Sequence, residues 1–128
     1  MDNKGVYLMK THKDLDVWKR SLEFVTDIYK ISRNFPKEEM YGITSQIRRS
    51  AVSIPSNISE GAARSSDKEF AHFISISLGS IAETETQLII TRNLGYISEV
   101  DFNQLEIKLT EIRKLALGLK KFINEKTY

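Results

Sequence analysis

Apolar residues recur every three or four positions along most of this chain, which is the spacing of one face of an α-helix. The pattern predicts four helices, at about residues 15–34, 42–63, 67–94 and 99–125. No segment shows the strict alternation that is typical of a strand. Short connections place consecutive helices side by side and antiparallel. The sequence therefore predicts an all-α, up-down-up-down four-helix bundle at residues 14–128, after a flexible tail at residues 1–13.

Local signals mark the ends of the third and fourth predicted helices. Ser66 and Glu69 have the spacing of a capping box, Gly95 stands where the third helix should end, and Ser98 is positioned to cap the fourth. The fourth helix has one narrow apolar seam with the alternating three-and-four spacing of a bundle core. That seam consists of Phe102, Leu105, Leu109, Ile112, Ala116, Leu119 and Ile123.

The second predicted helix contains a proline, Pro55, which removes one backbone donor from a helix interior. Its apolar stripe keeps the helical phase across the proline, which favours a single helix kinked at Pro55. The alternative is a break, with Asn57 capping a new turn and Glu60 at its third position. The stripe runs through Ile43, Ile47, Ala51, Ile54, Ile58 and Ala62.

The opposite side of the second helix is polar without being uniformly charged. The serines at 50, 53 and 56 are small enough for another helix to approach closely. This side is either a solvated face with weak ion pairs or a partly buried polar ladder at a helix or subunit contact. Its residues follow one another at helical steps: Gln46, Arg49, Ser53, Asn57, Glu60 and Arg64.

The first predicted helix is apolar over about half its circumference, whereas a bundle core needs only about a 100° arc. Either the helix is deeply buried in its own bundle, or its second stripe meets another subunit of a homo-oligomer. The first stripe comprises Leu15, Trp18, Leu22, Val25 and Tyr29. The second comprises Val17, Phe24, Ile28, Ile31 and Phe35, of which Val17, Phe24, Ile28 and Ile31 are the candidate interface residues.

Composition excludes several classes of protein. The chain has 128 residues, 41% of them hydrophobic and 28% charged, which suits one folded domain. It has no cysteine, so disulfides, thiolate nucleophiles and cysteine-ligated metals are excluded. No stretch is long and apolar enough to span a membrane, and the first dozen residues lack the apolar region of a signal peptide. We therefore expect a cytoplasmic protein without a membrane partner.

Motifs that would indicate catalysis are missing from the sequence. There is no G-x-S-x-G elbow and no glycine-rich phosphate loop. Glu69 and His72 form one E-x-x-H pair, whereas di-iron bundles use two. Gly79 lies in mid-helix, where glycine costs about 1 kcal/mol relative to alanine, and close packing against another helix is the expected reason. We expect no catalytic residue, metal or cofactor.

Two groups of cationic side chains are candidate nucleic-acid contacts, although the net charge is only +2. Those near the end of the fourth helix have an alternative role, which is to complement the helix dipole. A ring of identical subunits would repeat any such patch and strengthen a weak monomer signal. The candidates are Arg48, Arg49 and Arg64 on the second helix, and Arg113, Lys114, Lys120 and Lys121 on the fourth.

Four segments match a family of helical proteins: DLDVWKRS, YGITSQIRRSAVSIPSNISEGAAR, SLGSIAETETQL and LGYI. Together they resemble the four-helix-bundle proteins encoded by intervening sequences in bacterial 23S ribosomal RNA genes, over about residues 14–124. The accessory variability determinant of diversity-generating retroelements has the same fold. The arginine pair and the N-I-x-E-G motif of the family correspond to Arg48, Arg49, Asn57, Ile58, Glu60 and Gly61.

The resemblance implies a homopentameric ring without known catalysis. It also implies binding to nucleic acid, especially structured RNA, and for the retroelement relatives a reverse transcriptase as protein partner. The leading hypothesis is therefore a non-enzymatic, oligomeric RNA-binding bundle. The alternative is an interaction scaffold or accessory subunit that makes no direct contact with nucleic acid.

Overall fold

The computed structural model describes residue 12 and residues 15–125. This part of the chain contains no strand, which confirms the all-α prediction, and each predicted helix boundary is within two residues of the observed one. The predicted tail at residues 1–13 lies outside the described residues except for His12. The helices are α1, Asp16–Ser32; a short 3₁₀ helix, Lys37–Glu39; α2, Ile43–Ala62; α3, Asp67–Asn93; and α4, Glu99–Glu125.

The caps predicted from sequence are present at both ends of the α3–α4 connection and at the start of α3. The hydroxyl oxygen of Ser66 accepts a hydrogen bond from the Glu69 amide at 3.1 Å. The hydroxyl of Ser98 accepts one from the Asp101 amide at 3.0 Å. Gly95 has a φ of +78°, the left-handed conformation that glycine adopts freely after a helix. Local sequence therefore fixes where α3 begins and ends.

The four helices form a bundle in which each packs against two others: α1 on α2 and α4, and α3 on α2 and α4. Contacts between α2 and α3 run in opposite order along the two helices, since Ser50 bonds to Gln87 and Ile54 to Ser77. The order of these contacts is that of antiparallel neighbours. All four helices contribute to the core, which includes the α2 stripe and the α4 seam predicted from sequence; Ile43, Ala62 and Leu119 of these two sets are only partly buried.

The stripe of α1 that faces the core is the one expected to face another subunit. Val17, Phe24 and Ile28 are at most 4% exposed, and Ile31 is partly buried against the same core. The prediction that Val17, Phe24 and Ile28 form a subunit interface is therefore wrong, because the chain's own bundle covers them, whereas for Ile31 it stays a prediction. The partly exposed stripe is the other one, in which Leu22 is 40% exposed.

Helix α2 runs through Pro55 without interruption, as predicted, and the alternative of a break is wrong. Asn57 does not cap a new turn; its Nδ2 donates to the Ser53 carbonyl at 2.8 Å, inside the same helix. The Ser77 hydroxyl of α3 donates to the Ile54 carbonyl at 2.8 Å, beside the proline. A kink at Pro55 remains a prediction.

The polar side of α2 is partly a contact with α3, as one of the two alternatives predicted. Ser50 donates to Gln87 Oε1 at 2.7 Å and accepts from Thr84 at 2.8 Å. The hydroxyls of Ser53 and Ser80 lie 2.7 Å apart. These side chains therefore hydrogen-bond to one another between two closely packed helices, so this part of the polar side is a contact within the chain.

Two glycines of the helices have opposite surroundings. A Cβ on Gly61 would lie 2.7 Å from Phe73 Cβ and 3.0 Å from Phe70 Cδ1, so α2 and α3 approach too closely there for any side chain. A Cβ on Gly79 would meet nothing within 4 Å, and Gly79 is exposed. The prediction that Gly79 packs closely against a helix is wrong, and that role belongs to Gly61.

Candidate nucleic-acid interface

The predicted basic group on α4 does not form one free patch. Arg113 Nη2 lies 3.0 Å from Glu85 Oε1 of α3, which neutralises it at the α3–α4 interface. Lys114 lines a shallow cavity together with two carboxylates, Glu106 and Glu111. Lys120 is half-buried, whereas Lys114 and Lys121 are exposed. The structure therefore removes Arg113 from the candidate phosphate contacts.

A pair of carboxyl groups accompanies Arg113. Burial, the hydrogen bond to Glu85 and the charge of Glu85 raise the pKa of Glu106 to about 7. The hydrogen bond from Glu106, together with the Arg113 cation, lowers the pKa of Glu85. Sequence spacing could not reveal this pair, because its members lie on different helices. Among the residues that the structure describes, no group of three or more possible ligands is placed to hold a metal ion.

The predicted arginines of α2 have three different surroundings. Arg64 Nη2 lies 2.6 Å from Glu60 Oε2, and its guanidinium lies over the Phe73 ring. Arg49 is exposed, and none of the ion pairs within the described residues includes it. Arg48 lies about 21 Å from the end of α2 at Ala62, at 1.5 Å per residue, and Arg64 lies beyond that end. These arginines therefore do not form a common site.

Arg48 is fixed at the carboxyl end of α1 by uncharged partners. Its Nε donates to Ser32 Oγ at 2.8 Å, and its Nη2 donates to the Tyr29 carbonyl at 3.4 Å. The guanidinium carbon lies 4.7 Å from the centre of the Tyr29 ring. Since a guanidinium has five N–H donors, three remain for a further partner. Arg48 keeps its full charge in a defined position.

Arg48 lines a cavity of about 410 Å³ between the end of α1 and the start of α2. Two further cations, Arg33 and Lys37, line the same cavity, and no carboxylate does. Neither was among the residues predicted from sequence, because both lie in the α1–α2 connection, where Glu38 and Glu39 follow Lys37 directly. The full lining is Tyr29, Ser32, Arg33, Phe35, Pro36, Lys37, Met40, Thr44 and Arg48.

The nearby carboxylates of the 3₁₀ helix do not line the cavity. Glu39 accepts hydrogen bonds from Tyr96 Oη at 2.8 Å and from the Ile43 amide at 3.4 Å. Glu38, on the same 3₁₀ helix, is exposed and does not line the cavity. By contrast, the cavity of about 260 Å³ between α1 and α4 has two carboxylates and two lysines, of which Asp27 and Lys108 form an ion pair.

Comparisons with known proteins agree with the fold. A crystal structure from Bacteroides thetaiotaomicron, of a protein of unknown function from the S23 ribosomal protein family, superimposes with a TM-score of 0.76. It is 30% identical, and the match covers 82% of this chain and 95% of that one. No protein with a curated description matches. In the part of the chain that the structure describes, no helix could cross a membrane. The family described as 23S rRNA-intervening sequence protein matches residues 13–118, and the chain belongs to this family.

Proposed function

We propose that this protein is a non-enzymatic helical bundle that binds structured RNA as a homo-oligomer. The observation that carries the proposal is the cavity between the end of α1 and the start of α2, called here the α1–α2 corner. Arg33, Lys37 and Arg48 line this cavity, and no carboxylate does. Cations that ion pairs do not neutralise are free to displace counterions from a phosphate backbone. The other predicted arginines support the proposal less, since Arg64 and Arg113 are paired with glutamates.

The small net charge of the chain is compatible with RNA binding, because binding depends more on where the cations lie on the surface than on the net charge. Ion pairs such as Arg20–Glu111 and Arg113–Glu85 neutralise cations along the sides of the bundle. The α1–α2 corner keeps its charge, and a ring of subunits would present one such corner per subunit. Several weak contacts on one RNA then reinforce one another, provided that the RNA can reach them simultaneously.

The test is a salt titration of binding to a structured RNA, measured by fluorescence anisotropy. Affinity should fall steeply with salt, and the double variant Arg33→Ala/Lys37→Ala should bind more weakly and with a shallower salt slope. The matched control Lys120→Ala/Lys121→Ala removes the same charge from the other end of the bundle and should change both quantities less. Absence of binding at low salt would refute the proposal.

Self-association is the second part of the proposal, and exposed apolar side chains support it. One set follows the α1–α2 seam, where Leu22 is 40% and Val52 is 38% exposed beside Trp18 and Pro55. A second set lies across the bundle, on α3 and α4. Two different patches fit a head-to-tail contact, which closes into a ring when the rotation allows. The exposed members of the second set are Ile76, Ile89, Ile90, Leu94, Val100, Ile107 and Leu117.

Light scattering tests this arrangement. The protein should have a mass several times the 14.7 kDa of one chain, and Leu22→Glu and Ile107→Glu should each reduce it to the monomer. A mixture of the two variants should form a species of two chains, because each supplies the patch that the other lacks. A monomeric wild-type protein would refute self-association. A stable dimer of Ile107→Glu alone would show a symmetric contact in place of a head-to-tail one.

A further inference from the structure

The strongest unexplained feature of the molecule is a buried hydroxyl beside the cationic cavity. Thr44 lines the cavity and is only 2% exposed. Its Oγ1 is buried and has no hydrogen-bond partner among the residues that the structure describes. Buried polar atoms in native proteins nearly always have a partner, and an unpaired one is costly. Threonine in a helix has two favoured χ1 rotamers, so a rotation can turn the hydroxyl towards the cavity.

We propose that this cavity binds one nucleotide through its phosphate monoester, with the 5′-phosphorylated end of an RNA strand as the occupant in this protein. The proposal rests on the RNA-binding function proposed above and names the part of the RNA that is recognised. A phosphate monoester carries a charge of about −1.5 to −2 at neutral pH, whereas each internal phosphate of the strand carries only about −1. Three cations without an opposing carboxylate therefore favour the end of a strand over its interior.

The size and the lining of the cavity fit a single nucleotide. Its volume of about 410 Å³ lies at the lower end of the range for small-ligand sites, about 300–1,000 Å³. The phosphate is placed against Arg33, Lys37 and the three unused donors of Arg48, with the Thr44 hydroxyl as an additional donor. RNA-binding proteins commonly stack bases on aromatic rings and on arginine planes. The Tyr29 ring, 41% exposed and stacked with Arg48, offers such a platform.

Arg48 has a structural role that the experiment must avoid. It bonds to Ser32 and to the Tyr29 carbonyl, so its replacement would disturb the end of α1 as well as the cavity. Thr44→Val is a cleaner change, because valine keeps the shape and removes only the hydroxyl. Since that hydroxyl has no partner, Thr44→Val should not lower the urea midpoint of unfolding. A role in folding alone would predict a lower midpoint and no change in ligand affinity.

The experiment compares two single-stranded RNA oligonucleotides of one sequence, with a 5′-phosphate or a 5′-hydroxyl, in anisotropy titrations. The wild type should prefer the phosphorylated strand by about tenfold. Thr44→Val should reduce this preference several-fold, and Arg33→Ala/Lys37→Ala should abolish it. Lys120→Ala/Lys121→Ala should weaken both strands equally and keep the preference. Equal wild-type affinity for the two strands would overturn the inference while leaving general RNA binding intact.

Small ligands test the cavity without a strand. In NMR titrations, AMP should shift the amide signals around Thr44 at concentrations where adenosine and inorganic phosphate cause much smaller shifts. Adenosine acting as well as AMP would overturn the inference, because the phosphate would then be irrelevant. If AMP binds there while no RNA binds at low salt, the proposed RNA function fails and the nucleotide site itself is supported.

Discussion

Replacing Gly61 by alanine adds one methyl group at the closest approach of α2 and α3. That carbon would lie 2.7 Å from Phe73 Cβ, 3.0 Å from Phe70 Cδ1 and 3.2 Å from the Phe70 carbonyl oxygen. Phe73 Cβ and the Phe70 carbonyl are fixed by the α3 backbone, so rotating a side chain cannot relieve the clash. The two helices must therefore move apart to accommodate the added carbon.

The magnitude follows from two opposing terms. Overpacking a well-filled contact costs about 1–3 kcal/mol, whereas exchanging glycine for alanine inside a helix gains up to about 1 kcal/mol. Gly79→Ala should have only the stabilising helix contribution, because its added carbon meets nothing within 4 Å. The helix term is common to both variants, so Gly61→Ala should be less stable than Gly79→Ala by about 1–3 kcal/mol.

Urea unfolding, followed by circular dichroism and by the fluorescence of Trp18, measures this difference. Gly118→Ala is a second control, since its added carbon also meets nothing within 4 Å, and it should be at least as stable as the wild type. Each variant is measured at two protein concentrations, because self-association adds to apparent stability. If Gly61→Ala proved as stable as Gly79→Ala, the close approach of α2 and α3 would not limit the residue at 61.

Three further predictions concern the polar contacts. The raised pKa of Glu106, about 7, means that the folded chain binds this proton more tightly than the unfolded chain. Stability should therefore fall as pH rises from about 4.5 to about 7, and Glu106→Gln should flatten that part of a pH series of thermal melts. Ser50→Ala should cost about 1–3 kcal/mol in urea unfolding, because the buried oxygen of Gln87 loses its donor; Ser56→Ala, at an exposed position, is the control and should change little. The coupling free energy between Glu60 and Arg64, measured with Glu60→Gln in a double-mutant cycle, should be no more than about 0.5 kcal/mol, since both side chains are about half exposed.

Features that depend on neighbours along the chain could be predicted without the structure. Helix boundaries follow from the caps at Ser66 and Ser98 and from the left-handed Gly95, which are local interactions. The phase of the isoleucine stripe predicted that α2 continues through Pro55, because a loop would have shifted that phase. The match of residues 13–118 to the family was likewise visible in the segments that resemble it.

Which of several similar surfaces faces the core could not be predicted, because it depends on how the helices pack against one another. The two stripes of α1 are chemically alike, and the positions of α2 and α4 determined that Phe24 and Ile28 are buried while Leu22 is exposed. Gly61 and Gly79 both lie inside helices, and the distance to the facing helix separates their roles. Whether a cation is free or paired also depends on the opposite helix: Glu85 neutralises Arg113, whereas Arg48 keeps its charge beside residues of the α1–α2 connection. Helix periodicity indicates on which side of a helix a residue lies, but the partner on that side belongs to a segment distant in sequence.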